Sequence, residues 1–247
     1  MVKGVFLKQQ QSQPDQTDEE RLFLSLSEQL GHVFLLMTRL AERAQSLPVE
    51  SRDAEWQVVR DISESAMFLT EAFAEGSKLR HHLASPEMEP VTVSALLYDA
   101  AEQLRPLARQ YGVELELDDL PRLTPVMSDR HILQAALTSL GQVFVLAQSE
   151  AESRAPLTFA AHRTRYGIVA GVYSEDNDLT ADAFRRASAL YGRSSQPLGK
   201  LVSGPASGIF VADTLLQSIS TKLHVARYRG HIGLGITLPV CDQLQLV

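Results

Sequence analysis

The sequence predicts an α+β fold in which an N-terminal helical hairpin precedes a two-layer α/β sandwich. Residues 20–85 contain two long stripes of apolar residues at steps of three and four, the spacing of amphipathic helices. From residue 86 onward, short alternating apolar runs interleave with helical patterns, which indicates a sheet covered on one face by helices. We therefore expect a disordered polar leader over 1–19, a dimerisation hairpin over 20–85 and an α/β domain over 86–247.

The first predicted helix, 20–47, begins after the acidic run Asp18-Glu19-Glu20, which favours a helix N-terminus, and ends before Pro48. The second predicted helix covers 52–83. Both apolar stripes are too wide for a lone hairpin to bury. Pairing two hairpins into a four-helix bundle would cover them, which predicts a homodimer. Packing of the hairpin against the C-terminal half is the alternative.

The second half of the chain alternates between the two periodicities. Val113, Leu115 and Leu117 alternate with acidic residues, which predicts a strand, and Arg229-Gly230 predicts a tight turn between the last two strands. The predicted strands are 91–93, 113–118, 156–162, 167–174, 223–228 and 231–238; the predicted helices are 94–110, 128–148, 180–191 and 207–221, with a Gly- and Pro-rich loop over 192–206.

Charge and cysteine content narrow the function classes. The chain has 30 acidic and 23 basic residues, a formal net charge of −7, which argues against a nucleic-acid-binding surface as the main function. The single cysteine, Cys241, excludes an internal disulfide and any multi-cysteine metal site, and suits a reducing cytoplasm. No apolar run approaches the roughly 20 residues that a membrane span needs. We expect a cytoplasmic protein without nucleic-acid binding or membrane insertion.

Several phrases of the chain together resemble the catalytic core of sensor histidine kinases. They are Glu89-Pro90-Val91, Leu104-Arg105-Pro106-Leu107, Ser128-Asp129-Arg130 and the closing run from Gly230 to Pro239, in that order behind a helical hairpin. The resemblance implies dimerisation helices that carry a phospho-accepting histidine, followed by an ATP-binding domain of the histidine-kinase ATPase type. It also implies Mg–ATP as cofactor, and a response regulator or a partner histidine kinase as partner.

The phospho-acceptor position has changed in this chain. When the first helix is aligned with the family pattern on Phe23-Leu24, Ser27 and Leu30, the acceptor histidine becomes Glu28. Its acidic neighbour becomes Gln29, and the proline that kinks the helix becomes Val33. His32 follows Glu28 by four residues and shares its helix face. His32 is either a displaced acceptor, an imidazole that positions a water molecule, or a surface histidine paired with Glu28.

The family's magnesium-binding asparagine has also changed. Matching Gln134 and Leu137 to the family pattern puts Gln142 at that asparagine and Thr138 one turn earlier. A glutamine can coordinate through its carbonyl oxygen, but the extra methylene moves that oxygen by about 1.5 Å. Mg²⁺ demands nearly ideal octahedral geometry at about 2.0–2.1 Å, so it tolerates such a displacement poorly.

The loops that the family uses for adenine and phosphates are only partly retained. Asp176, or Glu175 in another register, matches the aspartate that reads the adenine amino group, but the glycines that follow it in the family are absent. Gly204 and Gly208 match two glycines of the phosphate loop, and Pro205 removes one N–H donor. An acidic solvated turn is the alternative interpretation at Asp176.

The leading hypothesis is a histidine kinase-like signalling protein, catalytically degenerate, that docks a two-component partner. The alternative is an active sensor histidine kinase in which Gln142 and Asp176 hold Mg–ATP and Glu28 or His32 receives the phosphate. A third hypothesis is a phosphotransfer or phosphatase protein that uses His32. We expect no firmly bound cofactor, and Mg–ATP is the one candidate.

Overall fold

The computed structural model describes residues 15–118, 123–150, 155–175 and 206–240 of the chain. Two long helices open it, α1 (Asp15–Ser46) and α2 (Val49–Arg80), and Pro48 immediately precedes α2. The predicted hairpin is therefore present. Helix α1 begins five residues earlier than predicted, inside the segment expected to be a leader. The acidic residues from Asp15 to Glu20 explain the earlier start, because they favour a helix N-terminus.

The α/β part follows the predicted order of elements. The strands are β1 (Met88–Val91), β2 (Leu115–Leu117), β3 (Val126–Asp129), β4 (Leu157–Thr164), β5 (Gly167–Ser174), β6 (Leu223–Tyr228) and β7 (His231–Leu238), and the helices are α3 (Val93–Gln110), α4 (Arg130–Glu150) and α5 (Ala206–Ser218). Strand β3 was not predicted. The predicted helix 180–191 and almost all of the loop 192–206 lie outside the described residues.

The main sheet has five strands in the order β2-β4-β5-β7-β6. Strands β2 and β4 are parallel, and the other three pairs are antiparallel. A separate antiparallel pair, β1 with β3, aligns Met88 with Asp129 and Val91 with Val126. The prediction of an α+β fold with a mostly antiparallel sheet is confirmed.

The two faces of the main sheet differ in character. The face toward the helices is apolar and fully buried, with side chains such as Phe159, Val172 and Ile236 in the core. On the opposite face many residues are small, so that other side chains can lie across it. The small residues include Ala160, Gly171, Gly233, Gly235 and Ala226.

The hairpin packs against the α/β part as well as on itself. Val33, Leu40, Ile62 and Ala66 form a small core between α1 and α2. Four other residues of the apolar stripes are part of the main core, together with residues of α3, α4 and α5; they are Leu26, Leu69, Ala72 and Leu79. The expectation that a second hairpin must cover both stripes is therefore wrong for these residues. The alternative, packing against the C-terminal half, is what covers Leu26, Leu69, Ala72 and Leu79.

Helix α4 corrects a second expectation. The stretch Arg130–Ser149 is long and apolar enough to cross a membrane by length and composition, although no such run was expected. In the fold, 83% of an 18-residue window within that stretch is buried. Most of the helix surface is covered, because α2, α3, α5 and the sheet all contact it. Its composition therefore has a structural cause within the fold.

Candidate functional site

The predicted phospho-acceptor positions lie within an uninterrupted helix. Glu28, Gln29 and His32 all belong to α1, and Glu28 and His32 are one turn apart along it. The surroundings of these three side chains lie outside what the structure describes. Val33, which occupies the family's kink-proline position, is 6% exposed and packs in the core of the hairpin. A proline would break a backbone hydrogen bond there, whereas valine keeps the helix continuous.

The two nucleotide-site positions on α4 are buried. Thr138 is 2% exposed and Gln142 is 5% exposed. The Thr138 hydroxyl donates a hydrogen bond to Oε1 of Gln103 on α3 at 3.1 Å. The hydroxyl is therefore engaged within the protein, and the side chain holds α4 against α3.

Gly141 explains how closely α4 approaches its neighbours. A Cβ at this position would lie 2.3 Å from Cδ1 of Leu104 on α3 and 2.7 Å from Cζ of Phe159 on β4. Both side chains are themselves fully buried. Because only glycine permits this contact, α4 is fixed against α3 and the sheet at the residue before Gln142.

Two of the residues that the resemblance would place beside Mg–ATP are described, and both are packed within the protein. Mg²⁺ usually keeps several water molecules, so a ligand for it needs a hydrated space beside it. Thr138 is 2% exposed and Gln142 is 5% exposed, so little of either side chain faces such a space. No group of three or more His, Cys, Asp or Glu side chains within the described ranges could hold a metal ion.

The remaining predicted nucleotide residues are described only in part. Asp176 and Gly204 lie outside the described residues. Gly208 is in the first turn of α5, and only its helical backbone is described. The structure therefore describes Thr138 and Gln142 together on α4, while the adenine and phosphate loops stay predictions.

A polar junction between the hairpin and the α/β part was missed from the sequence. A cavity of about 270 Å³ opens there, lined by Glu75, Glu87, Glu89, Asp129, Arg130 and His131 among others. Asp129 is 3% exposed and accepts two backbone N–H bonds, from Ile132 at 3.1 Å and from Glu87 at 3.0 Å. The first bond caps α4 and the second holds the segment that leaves the hairpin. One carboxylate thus ties the linker to the start of α4.

His131 joins the same junction to α2. Its ring packs against Phe68 with centroids 4.7 Å apart, and its Nε2 lies 3.8 Å from Oε2 of Glu75. Arg130, one residue earlier, pairs with Asp99 of α3 at 3.0 Å. The first turn of α4 therefore contacts both α2 and α3. The sequence indicated a helix start near Asp129. No local pattern indicates that His131 contacts Phe68 and Glu75 of α2.

A second cluster lies on the open face of the sheet. The side chain of Tyr228 on β6 lies across the small residues of this face, and its hydroxyl donates a hydrogen bond to the carboxylate of Asp118. The Tyr228 ring is 5.4 Å from the rings of both His162 and Tyr173, centroid to centroid. Arg229 also pairs with Asp118, at 2.8 Å. Burial lowers the pKa of His162 and raises the pKa of Tyr173, because it disfavours the charged form of each.

Sequence comparison finds no match: no model of a protein family and no curated protein corresponds to this chain. Comparison of structures does find relatives in shape. Histidine kinase AdeS of Acinetobacter baumannii matches with a TM-score of 0.47 and 13% identity, over 86% of this chain and 97% of that one. A histidine kinase from Burkholderia phymatum matches with a TM-score of 0.43 and 16% identity, over 87% and 96%. The catalytic domain of histidine kinase ThkA matches with a TM-score of 0.43 and 13% identity, over 62% and 97%.

These solved structures are histidine kinases, the family that the sequence resembles. At identities of 13–16% the likeness concerns the fold alone. The chain itself has the arrangement that the resemblance implies. A helical hairpin, α1 with α2, leads into a mixed five-stranded sheet covered on one face by α3, α4 and α5.

Proposed function

We propose that this chain is a histidine kinase-like signalling protein that has lost catalysis and acts by docking a two-component partner. The observation that carries the proposal is the burial of Thr138 and Gln142, with the Thr138 hydroxyl bonded to Gln103. The family's catalysis depends on nucleotide and Mg²⁺ at these positions. Here Thr138 bonds to α3 and Gln142 is buried within the fold.

The acceptor position supports the same proposal. Glu28 stands where the family has the histidine that receives phosphate. A carboxylate lacks the imidazole nitrogen that forms a phosphohistidine, so phosphate on Glu28 would be an acyl phosphate of different chemistry. His32 lies one turn further along α1 and is the one imidazole near that position in the sequence.

The outer surface of the hairpin supports a homodimer and partner docking. Among the described side chains of α1 and α2, five large apolar ones are exposed, namely Phe23, Phe34, Leu35, Trp56 and Met67. Phe34 and Leu35 are adjacent in the chain, and exposed apolar side chains that form a contiguous patch mark protein–protein contact surfaces. We propose that a second hairpin covers part of this surface and that a response regulator or a partner histidine kinase contacts the rest, in the cytoplasm.

Calorimetric titration with Mg–ATP tests the loss of nucleotide binding. We expect no detectable heat, and no rise in melting temperature at about 1 mM Mg–ATP, because a ligand stabilises a protein only in proportion to its occupancy. Asp176→Ala is the matched control. A melting shift of several degrees in wild type that disappears in Asp176→Ala would instead support the active histidine kinase.

Incubation with radiolabelled ATP tests the loss of phosphotransfer. We expect no stable label on the chain alone. Acid-labile, base-stable label that disappears in His32→Ala and persists in His81→Ala would overturn the proposal, because it would identify His32 as an acceptor.

A further inference from the structure

The four long strands of the main sheet have basic residues and lack acidic ones. Strands β4 to β7 contain no Asp or Glu, although acidic residues outnumber basic ones 30 to 23 in the chain as a whole. The strand at the outer edge, β6, is the most basic part. Lys222 precedes it, His224 and Arg227 lie on it, and Arg229 follows it in the turn.

The cations of β6 are available to a partner. Lys222 and Arg227 are exposed, and neither makes an ion pair within the described parts of the chain. Arg229 pairs with Asp118, yet its side chain is 66% exposed. An extended chain of opposite charge lying beside β6 would therefore meet Lys222 at one end, and Arg227 and Arg229 at the other.

The backbone of β6 offers hydrogen bonds along the same edge. In the sheet order, β6 has one neighbour, β7, among the described strands. The hairpin between them turns at Arg229-Gly230, where both φ angles are positive, at 48° and 93°. In such a two-residue turn Tyr228 and His231 form a hydrogen-bonded pair, so the N–H groups of Val225 and Arg227 point away from β7.

A carboxylate of the chain itself already uses the first outward group. Oδ1 of Asp213 on α5 accepts the N–H of Leu223 at 3.2 Å. Val225 is the next outward position, and its side chain is 42% exposed. The edge thus combines outward backbone groups, an accessible apolar side chain and flanking cations. Outward backbone groups give the affinity for an added strand, and charged and apolar side chains beside them select the partner.

We infer that an acidic, extended protein segment pairs with the outer edge of β6 as a sixth strand. The basic residues at the two ends of β6 favour an acidic partner. The backbone groups of Val225 and Arg227 fix the register of the partner's strand. This surface lies on a different element from the hairpin, so it would serve a second partner or a second contact with the same one. Edge cations also discourage two copies of β6 from pairing, which keeps the edge free for an acidic chain.

A labelled twelve-residue peptide of alternating Glu and Val tests the inference by fluorescence anisotropy on the full chain. We expect it to bind, and we expect Lys-Val and Glu-Pro peptides of the same length to bind at least about tenfold more weakly. The first comparison tests charge, and the second tests backbone pairing because proline has no N–H to donate. Equal binding of the Glu-Pro peptide would overturn the inference.

Substitutions in the protein locate the contact. We expect Lys222→Glu with Arg227→Glu to weaken binding by about tenfold or more, and Arg39→Glu with Arg60→Glu on the hairpin to leave it unchanged. Val225→Pro should abolish binding, whereas Val225→Thr, which keeps the N–H, should preserve it. Equal weakening by the two charge reversals would overturn the inference. Binding of single-stranded RNA or anionic vesicles that depends on Lys222 and Arg227, with none of the Glu-Val peptide, would also overturn it.

Discussion

Gly76 of α2 lies against Leu215 of α5, and a Cβ at residue 76 would be 2.8 Å from Cδ2 of Leu215. This close approach joins the hairpin to the α/β part, because Leu215 is 1% exposed and belongs to the main core. The two parts therefore share one apolar core at this point.

Replacing Gly76 tests the shared core. We expect Gly76→Leu to lower the free energy of unfolding by about 1–3 kcal/mol, because the added atoms overpack the contact with Leu215. The gain in helix propensity, roughly 1 kcal/mol, offsets only part of this. Gly31→Leu is the control, since a Cβ there meets nothing within 4 Å. Urea denaturation should show Gly31→Leu at least as stable as wild type, and equal stability of both variants would contradict the packing.

Replacing Gly141 tests how α4 is seated. We expect Gly141→Ala to destabilise the protein by about 1–3 kcal/mol, because its Cβ would overlap Leu104 and Phe159. Thermal denaturation measures the loss. A Gly141→Ala variant as stable as wild type would mean that α4 is not held tightly against α3.

Asp129 gives a graded prediction. Its two carboxylate oxygens accept separate N–H groups, so Asp129→Ala should lose both bonds while Asp129→Asn loses one. We expect a loss of about 1–2 kcal/mol for alanine and a smaller loss for asparagine. Urea denaturation of the two variants should give that order, and the reverse order would contradict the dual role of the carboxylate.

The exposed hairpin residues predict how the proposed dimer can be disrupted. Phe34 is 57% exposed and Leu35 is 51% exposed, so Phe34→Glu with Leu35→Glu should produce a folded monomer. Light scattering measures the mass, with Gln45→Glu on the same helix as control. Val33 is 6% exposed, so a charge there should unfold the hairpin instead of separating two chains. A wild-type protein that is already monomeric at tens of micromolar would contradict the dimer.

The lowered pKa of His162 predicts acid sensitivity. Burial favours its neutral form in the folded state, whereas the unfolded chain binds a proton with the ordinary pKa of about 6.5. Proton binding therefore stabilises the unfolded state as pH falls below that value, and the free energy of unfolding decreases. We expect His162→Gln to weaken the fall in melting temperature between neutral and mildly acidic pH. His224→Gln, on the same sheet face, is the comparison, and an unchanged pH profile in His162→Gln would contradict the assignment.

Local patterns predicted most of the elements. Strands β5, β6 and β7 have the predicted bounds, because Arg229-Gly230 marks their turn and Gly167 begins β5. Strand β3 was missed for a physical reason. It has four residues, it runs directly into α4, and its partner β1 is distant in sequence, so no local periodicity identifies it.

The sequence predicted where the candidate site residues lie on their helix, but it did not predict that their side chains are buried. Thr138 and Gln142 fall on the predicted helix, one turn apart. Their burial depends on the approach of α3, which Gly141 permits and which no periodicity in α4 specifies. The hairpin presents the same difficulty. An apolar stripe indicates that something covers it, and it does not distinguish a second hairpin from α5.

The parallel pairing of β2 with β4 has a consequence for folding kinetics. These strands align Leu115 with Leu157, and β3 and the whole of α4 lie between them in the chain. Closing so long a segment costs chain entropy before the contact returns any stabilisation, so pairs of this kind form slowly. The β6–β7 hairpin closes locally and needs no such step. The pairing of β5 with β7, which aligns Ser174 with Ile232, closes a longer segment still. We therefore expect the local hairpins β4–β5 and β6–β7 to form first, and β2 to join the sheet only after α4 has packed on α3.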